Sequence, residues 1–338
     1  MPARTPTGST AIDRLDRLIL HGLTLAPRVP FARLAAVLAV SEQTVARRYQ
    51  RMRTHGIARV FGIADYHGMP GATSWAVRLT CRPGTAAATA DALARRTDTS
   101  WVAIGAGGAE LTCSVAVADG RPGLLDHLPR AANVLSLSAH QVLHRFVGRG
   151  ETDWILAGDR LAADQRRELE ADLPAPAPAE PAELTGEDRP LLVTLAHDGR
   201  ASFAQLATAT GWTQRRVALR MAALTAAGLL RFDTDIAVMA LGFRSVTTLW
   251  FTVAPHDLAA VGARLADHQQ LAYAAAVTGS ANLMANAVFA DAGALYRYLT
   301  TEVAAIAEVQ NCEAVPLLTR VKQAVTLVDG GVLRGPVV

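Results

Sequence analysis

The residues best suited to chemistry are arginines, concentrated at two places 172 positions apart. Residues 41–59 hold five arginines and one acid, a net of +4, and residues 213–231 hold four arginines and no acid, again +4. The whole chain carries only +3, and of its 33 basic residues Lys322 alone is lysine. A guanidinium fork donates two parallel hydrogen bonds, a geometry that suits phosphate oxygens and the O6/N7 edge of guanine. Local basic peaks on a nearly neutral chain attract a polyanion through release of its counterions. Residues 151–190 behave oppositely: 11 acids against 4 arginines give −7, so this stretch should avoid nucleic acid.

Other chemistry is thinly supplied. Gly105-Ala106-Gly107-Gly108 is a fragment of a phosphate loop, but it lacks the third spaced glycine and any following Lys-Ser/Thr. His140 and His144 have the spacing of a metal pair on a helix. On the strand expected there, side chains four apart stand about 13 Å apart, too far to share one ion. Cys81, Cys113 and Cys312 are widely separated and form no CxxC pair, which argues against a zinc ribbon or a disulfide framework. No GxSxG, HExxH or nucleophile–base pattern occurs. Aromatic residues make up 5%, too few for a single-strand stacking platform. These readings point away from an enzyme and imply no cofactor and no metal. No signal-peptide pattern and no apolar run of about 18 residues appears, so a cytoplasmic, non-membrane protein is expected.

The arginine clusters recur because the sequence itself recurs. Residues 28–60, RVPFARLAAVLAVSEQTVARRYQRMRTHGIARV, align without a gap on residues 200–232, RASFAQLATATGWTQRRVALRMAALTAAGLLRF, with ten identities in 33 positions. The same offset pairs Trp101 with Tyr273, Gly107 with Gly279, Leu111 with Leu283 and Val134 with Ile306. Register kept this long indicates two copies of one unit.

Each copy opens with helical periodicity. In the first, Ser9 or Thr10 can cap a helix with Ile12, Leu15, Ile19 and Leu23 on its apolar face. Phe31, Leu34, Ala35 and Leu38 mark a second helix. Ser41 can cap a third, with Val45, Tyr49 and Met52 as its buried stripe, and Gly56 suits the position just past its end. Residues 57–63 then alternate as a strand. Two short helices and a tight turn before a basic third helix is the helix-turn-helix pattern. Each copy continues as βαββαβ: strands at 74–80, 100–104, 111–118 and 134–143, helices at 86–96 and 124–132. The second copy has strands at 246–253, 271–277, 283–289 and 309–318, helices at 258–268 and 294–304. One sheet face is left needing a partner, which in a duplicated chain the other copy can supply.

The expected fold class is α+β: two winged helix-turn-helix domains alternating with two ferredoxin-like βαββαβ domains. The expected boundaries are 9–64 and 184–238 for the helical domains and 70–150 and 242–328 for the sheet domains. An acidic linker with alternating prolines and a short helix near 159–173 occupies 151–183.

The entry LDRLILHGL, the helix FARLAAVLAVS and the string TVARRYQRMRTHGIARVFGI resemble, in order and spacing, the N-terminal domain of the Lrp/AsnC (leucine-responsive, feast/famine) regulators. The second copy is similar through RPLLVTLAHDGRASFAQLATATGWTQRRVALRMAALTAAGLL. The resemblance implies that the third helix enters the major groove of double-stranded DNA. Carried over by position, the contacting residues are Ser41, Gln43, Thr44, Arg47 and Arg48, with Arg51 toward phosphate. In the second copy they are Thr213, Gln214, Arg215, Arg216 and Arg220. Arg48 and Arg220 could equally brace the fold. The resemblance also makes the βαββαβ domains RAM (ACT-like) sensors, with an amino-acid effector held by the loop between their middle strands. That loop offers Gly107, Gly108 and Glu110, and Gly279, Ser280 and Asn282. It departs from the family, which often has aspartate where Glu110 and Asn282 stand and an aromatic where Ala109 and Ala281 stand. A β-turn needing glycine explains the loop as well.

The sequence therefore reads as a sequence-specific, double-stranded DNA-binding transcriptional regulator. Its sensors would pair within the chain, and homo-oligomers are expected. An architectural DNA-binding protein of little sequence preference is the alternative, and an enzyme with ACT-like regulatory domains a more distant one.

Overall fold

The computed structural model describes residues 12–64, 71–117, 123–148, 159–171 and 182–338. In the first half, helices α1 (Arg14–Leu25), α2 (Phe31–Val37) and α3 (Glu42–Thr54) precede strand β1 (Ala58–Ala64). Asp13, not Ser9 or Thr10, caps α1: its carboxylate accepts from the Asp16 N–H in a reciprocal capping box. The two residues expected to cap it lie outside the described residues. Ser41 caps α3 by accepting from the Thr44 N–H, and Gly56 takes φ 65° just after its end. Ile19, Leu20, Leu23, Leu34, Val45 and Met52 close the three-helix core. The sheet portion follows as β2 (Thr73–Cys81), α4 (Ala86–Ala94), β3 (Thr99–Gly105), β4 (Glu110–Val117), the single turn α5 (Leu124–His127) and β5 (Val134–Val147).

Helix α6 (Ala163–Glu170) lies between the halves and packs back on the first, burying Leu161 and Leu169 in its core. The second half repeats the order with α7 (Arg189–His197), α8 (Phe203–Thr210), α9 (Gln214–Ala226) and β6 (Leu230–Ile236). Then come β7 (Ser245–Val253), α10 (Leu258–Ala266), β8 (Leu271–Val277), β9 (Leu283–Phe289), α11 (Ala292–Tyr298) and β10 (Val309–Arg320). A π turn, Leu299–Val303, extends α11. By the last strand the offset between the halves has grown by three. Val134 opens β5 and Val309 opens β10, so the structural counterpart of Val134 is Val309, not Ile306. A hairpin that the alternation did not announce, β11 (Thr326–Asp329) and β12 (Val332–Pro336), ends the chain.

The halves join around an approximate two-fold relation. β1 and β6 form an antiparallel ribbon in which Phe61 lies opposite Asp233, its own counterpart 172 positions on. Each sheet has the ferredoxin-like order, β3-β4-β2-β5 and β10-β7-β9-β8. Instead of two separate sheets, however, the eight strands close into one barrel, β10-β3-β4-β2-β5-β8-β9-β7. β5 and β10 run longer than expected, to 14 and 12 residues, and their far ends zip onto β8 and β3 of the other half. This removes the open edges that a lone ferredoxin-like sheet presents. Alternate residues point outward under the helices (Val77, Leu79 and Leu111; Leu249, Phe251 and Leu283). The others, among them Ala76, Trp250, Ala275, Val277 and Val315, fill the barrel interior.

A strap runs from the barrel to the helices. The Val321 N–H bonds to the Val102 carbonyl, the Gln323 amide donates to the Ile236 carbonyl on β6, and the Leu333 N–H bonds to the Gly56 carbonyl below α3.

Candidate nucleic-acid interface

The N-terminal turns of α3 present Ser41, Gln43 and Arg47 exposed and Thr44 half-buried, while Val45, Tyr49 and Met52 face the core. Among the described residues Arg47 has no ion-pair partner. The other arginines of this stretch are committed. Arg48 donates to Asp13 at 2.6 Å and to Asp16 at 3.0 Å, and Arg51 also binds Asp16. Asp16 is fully buried, and the Asp13 hydrogen bond leads the effects that raise Arg48 above its usual pKa. Arg53 pairs with Asp198 at 2.7 Å. Arg59 is buried on β1, donating to Thr326 Oγ1 at 3.0 Å and to the Ala196 and His197 carbonyls. Of the five arginines counted in the sequence, Arg47 alone has no ion pair or side-chain hydrogen bond among the described residues. The acids that neutralise the rest lie on α1 and in the second half, beyond the window in which the charge was counted.

The second helix differs in kind. Thr213, Gln214, Arg215 and Arg216 are exposed around its start, and Arg215 carries no ion pair. Arg216 stacks 4.3 Å from the Trp212 ring and pairs with Glu187 at 2.7 Å. Arg220 grips Asp188 through two nitrogens at 2.7 and 2.6 Å. Burial opposes ionisation of Asp188, yet the Arg220 bond and charge hold its pKa below the usual value. Arg48 and Arg220 thus both brace their own units. Further along the same face α9 shows Leu219, 62% exposed, at the position where α3 carries Arg47.

The two units are clamped together by an exchange of arginines. Arg28 reaches the Gly199 and Ala201 carbonyls and lies 5.2 Å over Phe232, while Arg200 donates to the Pro27 and Val29 carbonyls at 2.7 and 2.6 Å and lies 4.0 Å over Phe31. Burial pulls both guanidinium pKa values below their ordinary value.

The loops expected to take an effector are occupied by the fold. Gly107 and Gly108 turn the β3–β4 connection at φ 66° and 75° with open space beside them. Glu110 meets Arg78 at 3.2 Å, and Arg78 forms a fork with Glu313 at 2.8 Å for each bond while lying 5.2 Å over Trp250. In the second half, Asn282 is locked onto the Val253 N–H and carbonyl at 3.0 and 2.7 Å. The Ser280 carbonyl accepts from Thr252, and a Cβ at Gly279 would stand 2.5 Å from His140 Nδ1. Sequence reasoning missed Arg78, Glu313 and Trp250. Their inward parity on β2, β10 and β7 was available, but not that the two sheets share one interior.

His140 bonds to the Thr278 carbonyl at 2.6 Å and His144 meets the edge of Phe146, so the two serve the fold on one strand. All three cysteines are free, and burial pushes the Cys113 thiol up to about 12, well away from a reactive thiolate. Among the described residues, no group of three or more His, Cys, Asp or Glu could hold a metal, and no helix is long and apolar enough to cross a membrane.

In each half a three-helix unit whose third helix has an exposed polar face precedes a βαββαβ sheet. Family models agree: residues 12–53 match the AsnC-type helix-turn-helix domain, and residues 247–327 match the Lrp/AsnC ligand binding domain. The chain thus carries an AsnC-type helix-turn-helix domain and an Lrp/AsnC ligand binding domain. Among solved structures, the siroheme decarboxylase NirDL is similar over 92% of this chain and 93% of its own, at 14% identity and TM-score 0.59, a likeness of fold. E. coli AsnC is 21% identical over 41% of this chain and 95% of its own, TM-score 0.39. The regulator NMB0573 of Neisseria meningitidis, solved with L-Met, is 17% identical over 42% and 94%, TM-score 0.39. A comparison with curated proteins found no match.

Proposed function

We propose that this chain is a sequence-specific, double-stranded DNA-binding transcriptional regulator, built as a fused pair in which each half contributes a helix-turn-helix and a sensor. The observation that carries it is the AsnC-type helix-turn-helix at 12–53, whose α3 leaves Ser41, Gln43, Thr44 and Arg47 facing outward while its other arginines are tied down. Ser41 and Thr44 suit phosphate, and Gln43 and Arg47 suit base edges. Thr213, Gln214, Arg215 and Arg216 form a weaker second contact. In this reading the helical domains occupy 9–64 and 184–238 and the sensor domains 70–150 and 242–328, and the protein works in the cytoplasm. An effector, an amino acid by family analogy, would act at the sensor loops by displacing the Glu110 or Asn282 contacts. Footprinting on the chain's own promoter and on random duplex tests this. Protection confined to the promoter supports it; equal protection of both fits the architectural alternative, and no protection overturns both.

A second reading rests on the whole-chain likeness of fold to the siroheme decarboxylase NirDL. Incubation of the purified chain with siroheme and detection of released CO2 would separate the two readings.

A further inference from the structure

We infer that the pocket between α3, α7 and the C-terminal hairpin is a binding site for a small oxyanion of the phosphate type. The pocket measures about 170 Å³ and is lined by Arg53, Gly56, Arg59, His197, Arg334 and Gly335 among others, none of them acidic. Three arginines and a histidine from three separate parts of the chain therefore line one small space, which a tetrahedral oxyanion fits and a nucleotide does not.

The walls are built rather than accidental. Arg59 is only 7% exposed and is fixed by Thr326 and two carbonyls at the end of α7, so its charge is held without a carboxylate bound directly to it. Gly56 cannot carry a side chain here: a Cβ would stand 2.5 Å from the Leu333 carbonyl oxygen, and its φ of 65° is the left-handed region. The hairpin thus lies directly on the backbone below α3 and brings Arg334 to the rim. Arg53 and Arg334 each have an acidic partner outside the lining, Asp198 at 2.7 Å and Asp329 at 2.9 Å, and Asp329 is 75% exposed. An anion entering the pocket competes with the exposed Arg334–Asp329 pair, which is weak in water, and with the half-buried Arg53–Asp198 pair. It gains charge-assisted bonds from a buried guanidinium.

The pocket sits at the opposite end of α3 from Ser41, Gln43 and Thr44, beside the ribbon and the strap, so its ligand is a free anion. Occupancy would tie α3, the second half and the hairpin together. The test is calorimetric titration of the full chain with inorganic phosphate at constant ionic strength, chloride balancing the salt. The expected result is saturable one-to-one binding, weakened about tenfold or more in Arg334→Gln and in Arg53→Gln. Arg334 is 56% exposed, so its substitution leaves the fold intact. Absence of saturable binding, or equal affinity in wild type and both pocket variants, overturns the assignment.

Discussion

Arg28 and Arg200 trade places: each, at the same position of its own half, inserts between carbonyls and aromatic rings of the other half. A planar fork satisfies two carbonyls while stacking on a ring, which an ammonium cannot do. Arg200→Ala should cost roughly 2–4 kcal/mol from two lost charge-assisted bonds and the Phe31 contact. Arg200→Lys should recover less than half of that. Urea unfolding of the three proteins measures it, and a neutral Arg200→Ala would show that the clamp contributes nothing to holding the units together.

The same pair shows what was legible in advance. Both arginines head the duplicated strings, so the repeat, the three helices and the βαββαβ order could be read from periodicity alone. What each arginine binds could not be read, because their partners lie about 171–173 residues away. The charge count failed likewise: the sequence alone points Arg51 toward phosphate and leaves Arg48 as either a base contact or a brace, because their partners Asp13 and Asp16 lie two helices earlier. The barrel was hidden because its seams depend on the last residues of β5 and β10, where alternation fades into bulges. Glu110 and Asn282 were singled out by position in a loop, and their engagement by Arg78 and Val253 needed the third dimension.

On the reading helix, Arg47 and Arg48 should now separate. Arg47→Ala should weaken duplex binding and lower the salt slope by about one, the loss of one phosphate-neutralising charge. Arg48→Ala should leave the slope unchanged and lower the unfolding midpoint, since its partners are Asp13 and Asp16. Affinity measured at several salt concentrations, beside thermal melts, distinguishes them. The reverse pattern would mean that α3 is presented differently.

Asp16 is the hub of that brace, fully buried with Arg48 and Arg51 on its two oxygens. Asp16→Ala removes a buried partner and leaves both guanidinium groups without it, an arrangement that costs roughly 2–4 kcal/mol. Asp13→Ala, at a half-exposed carboxylate, should cost about 1 kcal/mol through the lost cap. Chemical denaturation tests the ranking, and equal losses would contradict it.

Asp235 supplies a pH dependence of unusual sign. It is buried on β6 opposite Arg59 and accepts a hydrogen bond from Thr326. Burial raises its pKa to about 7, more strongly than the Thr326 bond and the Arg59 charge lower it. A carboxyl whose pKa is higher folded than unfolded binds its proton more tightly in the native state. Its contribution is therefore fully present below pH 3.8, its ordinary value, and is lost as pH rises to about 7. Above that pH the ionised carboxylate is a standing cost. Asp235→Asn keeps an acceptor for Thr326 and cannot ionise, so the variant should gain stability relative to wild type across this window and hold a constant advantage above it. Unfolding free energies of the two proteins at pH 5, 6, 7 and 8 decide it. A difference that does not change with pH would mean that the carboxyl is already charged in the fold, stabilised by Arg59 beyond what its burial takes away.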